Sequence, residues 1–133
     1  MAEGAGHQAG SVPPAVAAVT RYAQTIPAPQ GKQHLPPGGR AVPVGRPVTV
    51  TAGGQQIVMQ TWRLGGTKAV VAVSAQPFPR PARAQRMSGG GMAWTARLGT
   101  LGLYCLNGRT SELVAAPVPA ADLAALAARL PPA

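Results

Sequence analysis

The chain is poor in acid. Only three of its 133 residues are Asp or Glu, against 12 Lys and Arg, so the formal charge is +9. Charged residues of both signs make up 11% of the sequence, well below the roughly 25% of ordinary globular proteins. Carboxylate chemistry suffers first. Glycoside hydrolysis needs two carboxylates flanking one bond, and Glu3, Glu112 and Asp122 fall on no common element. Histidine is as scarce: His7 and His34 are the only two, both in Gly- and Pro-rich surroundings where ordered structure is least expected, so a Ser-His-Asp arrangement has little to draw on. The one cysteine, Cys105, excludes an intramolecular disulfide and cannot by itself build a zinc site. Long apolar runs are missing too. The longest candidate is AVVAV, Ala69 to Val73, far short of the ~18 residues of a spanning helix. MAEGAGHQAG at the start lacks the basic and apolar regions of a secretory signal, so the sequence as written reads as soluble: cytoplasmic if complete, extracytoplasmic if part of a membrane-anchored regulator.

Glycine (17) and proline (15) are plentiful. Together with Ala and Arg they have GC-rich codons, and codon bias alone would yield this composition without any acidic partner. The length suits one domain able to bury a hydrophobic core. Residues 1–10 read as a disordered tail, and 11–26 as a short amphipathic helix. Ser11 is its candidate N-cap, prolines occupy its first turn, and Val12, Val16, Val19, Ala23 and Ile26 fall at helical spacing. Residues 27–46 hold so many Pro and Gly that an extended linker is expected.

From residue 47 to 133 the pattern predicts an α+β domain. PVTVTA, QQIVMQTWRL and TKAVVAVSA are three strands separated by GG pairs, which suit two-residue hairpin turns. QPFPRPARAQRMSGGG carries too much Pro and Gly for a sheet and is expected to be a surface loop. MAWTARL alternates as a strand, and LGLYCLNGRTSELVAAP supplies a hairpin around Asn107 and Gly108, the pair preferred for a type I′ turn. Its register is open between two choices. A two-residue loop sets Leu103 across from Glu112; a three-residue loop sets it across from Leu113. PVPAADLAALAARLPP then predicts a closing helix, with Asp122 near its positive end, Pro131 beyond its stop, and Leu123, Leu126 and Leu130 as an apolar stripe. The expected architecture is an antiparallel β-meander of about six short strands with the C-terminal helix packed on one face and a short N-terminal helix.

Chemistry-bearing residues are few. Cys105 shares a strand face with Leu101 and Leu103, which favours a buried structural thiol; a redox role would need a lowered pKa, with Arg109 as the one local cation. Arg80, Arg83 and Arg86 form the densest basic cluster, and Phe78 beside them is a candidate for stacking a base. No phosphate-binding fingerprint is present, since GGTKAV lacks P-loop spacing and Gly89 to Gly91 precede a strand. No catalytic, cofactor or metal site is therefore expected.

AVVAVSAQPFPRP (Ala69 to Pro81), MAWTARLGTLGLYCLNG (Met92 to Gly108) and LVAAPVPAADLAALAARL (Leu113 to Leu130) together resemble the C-terminal, outward-facing sensor portion of membrane-anchored anti-sigma factors. The His-x-x-x-Cys-x-x-Cys motif of that family's sigma-binding domain is absent, as is its transmembrane helix. What the resemblance implies is a small α+β module that senses or binds something, without the part that grips sigma. The expectation is a non-catalytic regulatory or sensory interaction domain whose protein partner or small ligand the sequence does not name. The alternatives are a polyanion-binding module using Arg80, Arg83 and Arg86, and a thiol-based sensor at Cys105.

Overall fold

A computed structural model describes residues 12–25, 41–64, 66–82, 84–86, 93–118 and 120–129. The predicted tail (1–10), most of the predicted linker with His34, and Ile26 lie outside them.

Helix α1 (Pro14–Gln24) forms where Val16, Val19 and Ala23 recur at helical spacing, and it buries that stripe together with Ala15 and Thr20. Pro13 sits at its N-cap and offers no capping side group; its carbonyl accepts from Ala17 N–H at 2.8 Å. Proline is tolerated here because the first-turn N–H groups have no intrahelical partner.

The strands are β1 (Val42–Ala52), β2 (Gln55–Leu64), β3 (Thr67–Ser74), β4 (Gln85–Arg86), β5 (Ala93–Leu98), β6 (Leu101–Leu106) and β7 (Ser111–Ala116). Six are of six to eleven residues, and β4 has two. They form one antiparallel sheet in the order β1-β2-β3-β7-β6-β5-β4. Ala52 pairs with Gln55, so Gly53 and Gly54 alone make the first turn, with φ of 60° and 80°. A primed turn requires positive φ at both central residues, which glycine adopts at little cost.

A simple meander is not what forms. The strands make two meanders, β1-β2-β3 and β4-β5-β6-β7, and the second runs back from the far edge so that β7 closes beside β3. The connection after β3, expected on the surface, is part of the core: Phe78 is fully buried among residues of α1, β2, β3, β5, β6 and β7, and Pro81 is buried too. A Phe residue gains on the order of 2–3 kcal/mol when its ring leaves water, enough to draw a proline-rich loop inward. Gln85 and Arg86 then pair with Thr95 and Trp94.

β1 also differs from expectation, beginning at Val42 inside the predicted linker. Pro43 and Pro47 are accommodated because β1 is an edge strand and its register shifts between Val44 and Val48. Gly45 takes φ of 73° there, and Gln60 Nε2 donates to the Val44 and Gly45 carbonyls at 3.2 Å each. Bonds from the Gln60 carboxamide thus replace the missing ladder.

On one face of the sheet, α1 and Phe78 pack in one cluster with Ile57, Met59, Val70, Ala72, Leu103, Cys105, Leu113 and Ala115. On the other lies a cluster of Leu64, Ala69, Val71, Val114, Ala116 and Val118, with Leu123 and Leu126 of helix α2 (Ala120–Arg129). Leu130 lies outside the described residues.

Candidate functional site

The β6–β7 hairpin positions the residue on which the predicted sites turn. Leu103 pairs with Ala115, Cys105 with Leu113 and Leu106 with Glu112, so five residues, Asn107 to Ser111, separate the last pair. Neither predicted register occurs. The two-residue loop fails because it would place Glu112 opposite Leu103, on the buried face. The three-residue loop would keep the faces correct, but Asn107 does not serve as a left-handed turn residue; no described non-glycine residue has positive φ. Its carboxamide is engaged elsewhere. Asn107 Oδ1 accepts from Phe78 N–H at 2.9 Å, and Nδ2 donates to Phe78 C=O at 3.2 Å. A carboxamide and the N–H and C=O of one residue match donor to acceptor in both directions, as paired residues of two antiparallel strands do. Trp94 Nε1 donates to the same Phe78 carbonyl at 3.4 Å, and Cys105 Sγ approaches Asn107 Oδ1 at 3.3 Å.

This arrangement changes two of the predicted sites. Phe78 is 0% exposed and cannot stack a base; its ring is core and its backbone is held by Asn107. Among the cluster's arginines, Arg80 is exposed, Arg83 lies outside the described residues, and Arg86 has its backbone in β4. Cys105 is 0% exposed as well, and burial, with a smaller contribution from the Glu112 charge, pushes its thiol up to about 12. Redox and nucleophilic cysteines need accessible thiolate, and this group is a buried neutral thiol on the same face as Leu101 and Leu103. Arg109 is exposed, and the cause of the shift is not a cation.

Glu112 sits on the opposite face of β7, between Val73 of β3 and Leu106 of β6. Burial raises its carboxyl pKa above the usual range. Asp122 is in the first turn of α2. Among the described residues, no three His, Cys, Asp or Glu residues gather where they could hold a metal ion.

A concave feature lies elsewhere, where sequence reasoning placed nothing. α1 covers the central strands and leaves the inner side of β1 half-open, so a groove of about 490 Å³ runs between Pro14, Ala18, Arg21, Tyr22 and Thr25 of the helix segment and Val50 to Gly53 of the hairpin, with Met59 at its floor. Its volume is within the range of small-molecule sites, roughly 300–1,000 Å³. The helix start closes one end: a Cβ on Gly53 would come within 3.3 Å of Pro14 Cβ. The groove is mainly apolar, and among the described residues that line it Arg21 is the only charged one. Nothing in the sequence marked the groove: Ala18 stands beside Ala17 in α1, and small residues in a helix are too common to mark a site.

No protein-family model, curated protein or solved structure matches this sequence. Among the described residues no helix is long and apolar enough to cross a membrane.

Proposed function

We propose that the protein is a non-catalytic binding domain of regulatory or sensory character, and that the groove between α1 and the β1–β2 hairpin takes a small amphipathic anion. The observation that carries this reading is the lining: an apolar trough floored by Met59, bordered by Tyr22 and Val50, with Arg21 as the one charge among its described residues. An apolar ligand body gains from leaving water at ~25 cal/mol per Å², and a guanidinium at the border favours a carboxylate or sulfonate head over a neutral or cationic one. The regulatory role rests on the resemblance to the sensor portion of anti-sigma factors; the binding role rests on the groove. What supports a non-catalytic reading is the separation of the ionisable groups: Cys105 and Glu112 occupy opposite faces of the sheet, and neither lines the groove.

The test uses anilinonaphthalene sulfonate as fluorescent probe and decanoate as competitor, with the fold verified by near-UV circular dichroism. Saturable binding that decanoate displaces is expected. Ala18→Trp, which fills the trough from its helix side, should abolish it, and Arg21→Gln should weaken it. A native protein that binds no probe, or an Ala18→Trp variant that binds as the parent does, overturns the assignment.

A further inference from the structure

Asn107 is followed by Gly108, and this dipeptide has a chemistry of its own. With only hydrogens on the Cα of the following residue, the Gly backbone nitrogen can attack the carboxamide carbon of Asn more readily than any other successor can. Nothing in the fold demands glycine at 108. Its φ is not positive, and a Cβ there would meet only the Thr110 carbonyl oxygen at 3.8 Å, an ordinary contact. The residue is exposed and its hairpin loop has room. Asn107, by contrast, is occupied at both ends of its carboxamide by Phe78 and touched by Cys105.

We propose that Asn107–Gly108 is a modification site, at which spontaneous deamidation of Asn107 irreversibly unlatches the Phe78 loop from the core. The Gly108 nitrogen bonds to Asn107 Cγ while the Cγ–Nδ2 bond breaks and ammonia leaves with the amide proton. Water then opens the cyclic imide to aspartate or isoaspartate, and no oxidant or reductant takes part. The product cannot restore the latch. One oxygen still accepts from Phe78 N–H, but the position of Nδ2 is now taken by an oxygen facing the Phe78 carbonyl, where two acceptors repel and no donor remains. Isoaspartate adds a backbone carbon and displaces the carboxylate altogether. In the closed form the two Phe78 bonds restrict the rotation that the Asn107 carboxamide needs to meet the attacking nitrogen. Conversion therefore proceeds through loop opening, and each conversion removes a molecule from the closed population.

The experiment ages the native protein at mildly alkaline pH beside Gly108→Ala. Conversion of Asn107 is followed by peptide mass spectrometry, and latch opening by tryptic cleavage of the loop after Arg83, since Pro81 blocks cleavage after Arg80, and by the labelling rate of Cys105. The parent should convert at Asn107, several-fold more slowly folded than denatured, and its converted fraction should show faster cleavage and faster thiol labelling. Gly108→Ala should melt like the parent and resist ageing, and Asn107→Asp should reproduce the opened state without ageing. Equal ageing of parent and Gly108→Ala overturns the site. Conversion that leaves cleavage and labelling unchanged, or an Asn107→Asp protein as protected as the parent, overturns the latch.

Discussion

Asn107 engages both backbone polar groups of Phe78, accepting its N–H at 2.9 Å and donating to its C=O at 3.2 Å across a separation of 29 residues. That one carboxamide joins the hairpin at the centre of the sheet to the loop that leads from β3 to the far edge. Phe78 fills the core from inside the loop, and Asn107 keeps it there.

Asn107→Leu should be markedly destabilising despite its similar size. It leaves the Phe78 N–H without its partner and removes one of two donors to the Phe78 carbonyl, at about 1–3 kcal/mol for each buried group left unpaired. Phe78→Ala should cost about 3–5 kcal/mol from lost burial and cavity formation. Because both act on one contact, the double variant should lose less than the sum of the two. Urea denaturation of the four proteins measures the coupling, and strict additivity would contradict the direct link.

Gly102 faces the start of the terminal segment, and a Cβ there would lie 2.7 Å from the Val118 carbonyl oxygen and 2.9 Å from Leu123 Cδ1. Backbone does not yield as the end of a flexible side group does. Gly102→Ala should therefore lower stability by about 1–3 kcal/mol, the usual range for overpacking. Gly108→Ala should leave it within about 0.5 kcal/mol. Melting curves of the two variants decide this, and equal losses would show that the close approach at Gly102 does not constrain the fold.

The Cys105 thiol titrates near pH 9.0 when free and is pushed up to about 12 in the fold. Below pH 9 both states keep the proton and the group has no influence on stability. Above it the unfolded state ionises and the folded state does not, so stability falls as pH rises from 9 toward 12. One pH unit into that window the loss should be about 1.4 kcal/mol. Other groups titrate there too, so the measurement is the difference in unfolding free energy between the parent and Cys105→Ala at pH 8 and pH 10. No change in that difference would show that the thiol is exposed to ionisation in the native state.

Glu112 presents the same logic at acid pH. Its folded pKa is raised by burial from 4.5, so the unfolded state releases the proton first and stability falls as pH rises through 4.5. At neutral pH the carboxylate costs the fold desolvation. Glu112→Gln should raise the melting temperature at pH 7, and the gain should vanish below the unfolded pKa. A variant less stable than the parent at pH 7 would mean that the carboxylate has a compensating partner.

Several features could be read directly from the residues. The Val16, Val19 and Ala23 stripe of α1, the alternation of Ile57 and Met59 in β2, the Gly53-Gly54 turn and the common face of Leu101, Leu103 and Cys105 all depend on neighbours a few positions apart, where rotamer, φ and periodicity rules apply. The groove was not legible, because its two walls, Ala18 and Val50, are separated by a stretch whose composition carries no distance information. Asn107 was misread for a related reason. Its local preference is a tight turn, and a partner 29 residues away outweighed it.

What the sequence by itself determined was therefore most of the inventory: the α1 stripe, the strands β2, β3, β5, β6 and β7, which faces are apolar, and where glycine permits a reversal, but not the start of β1 or the short β4. The tertiary structure alone decided that β7 closes beside β3, that a proline-rich loop brings Phe78 inside, and that the hairpin after Cys105 has five residues rather than two or three. Those outcomes depend on burial and hydrogen-bond satisfaction between distant segments, and such energies exist only once folding has brought the segments together.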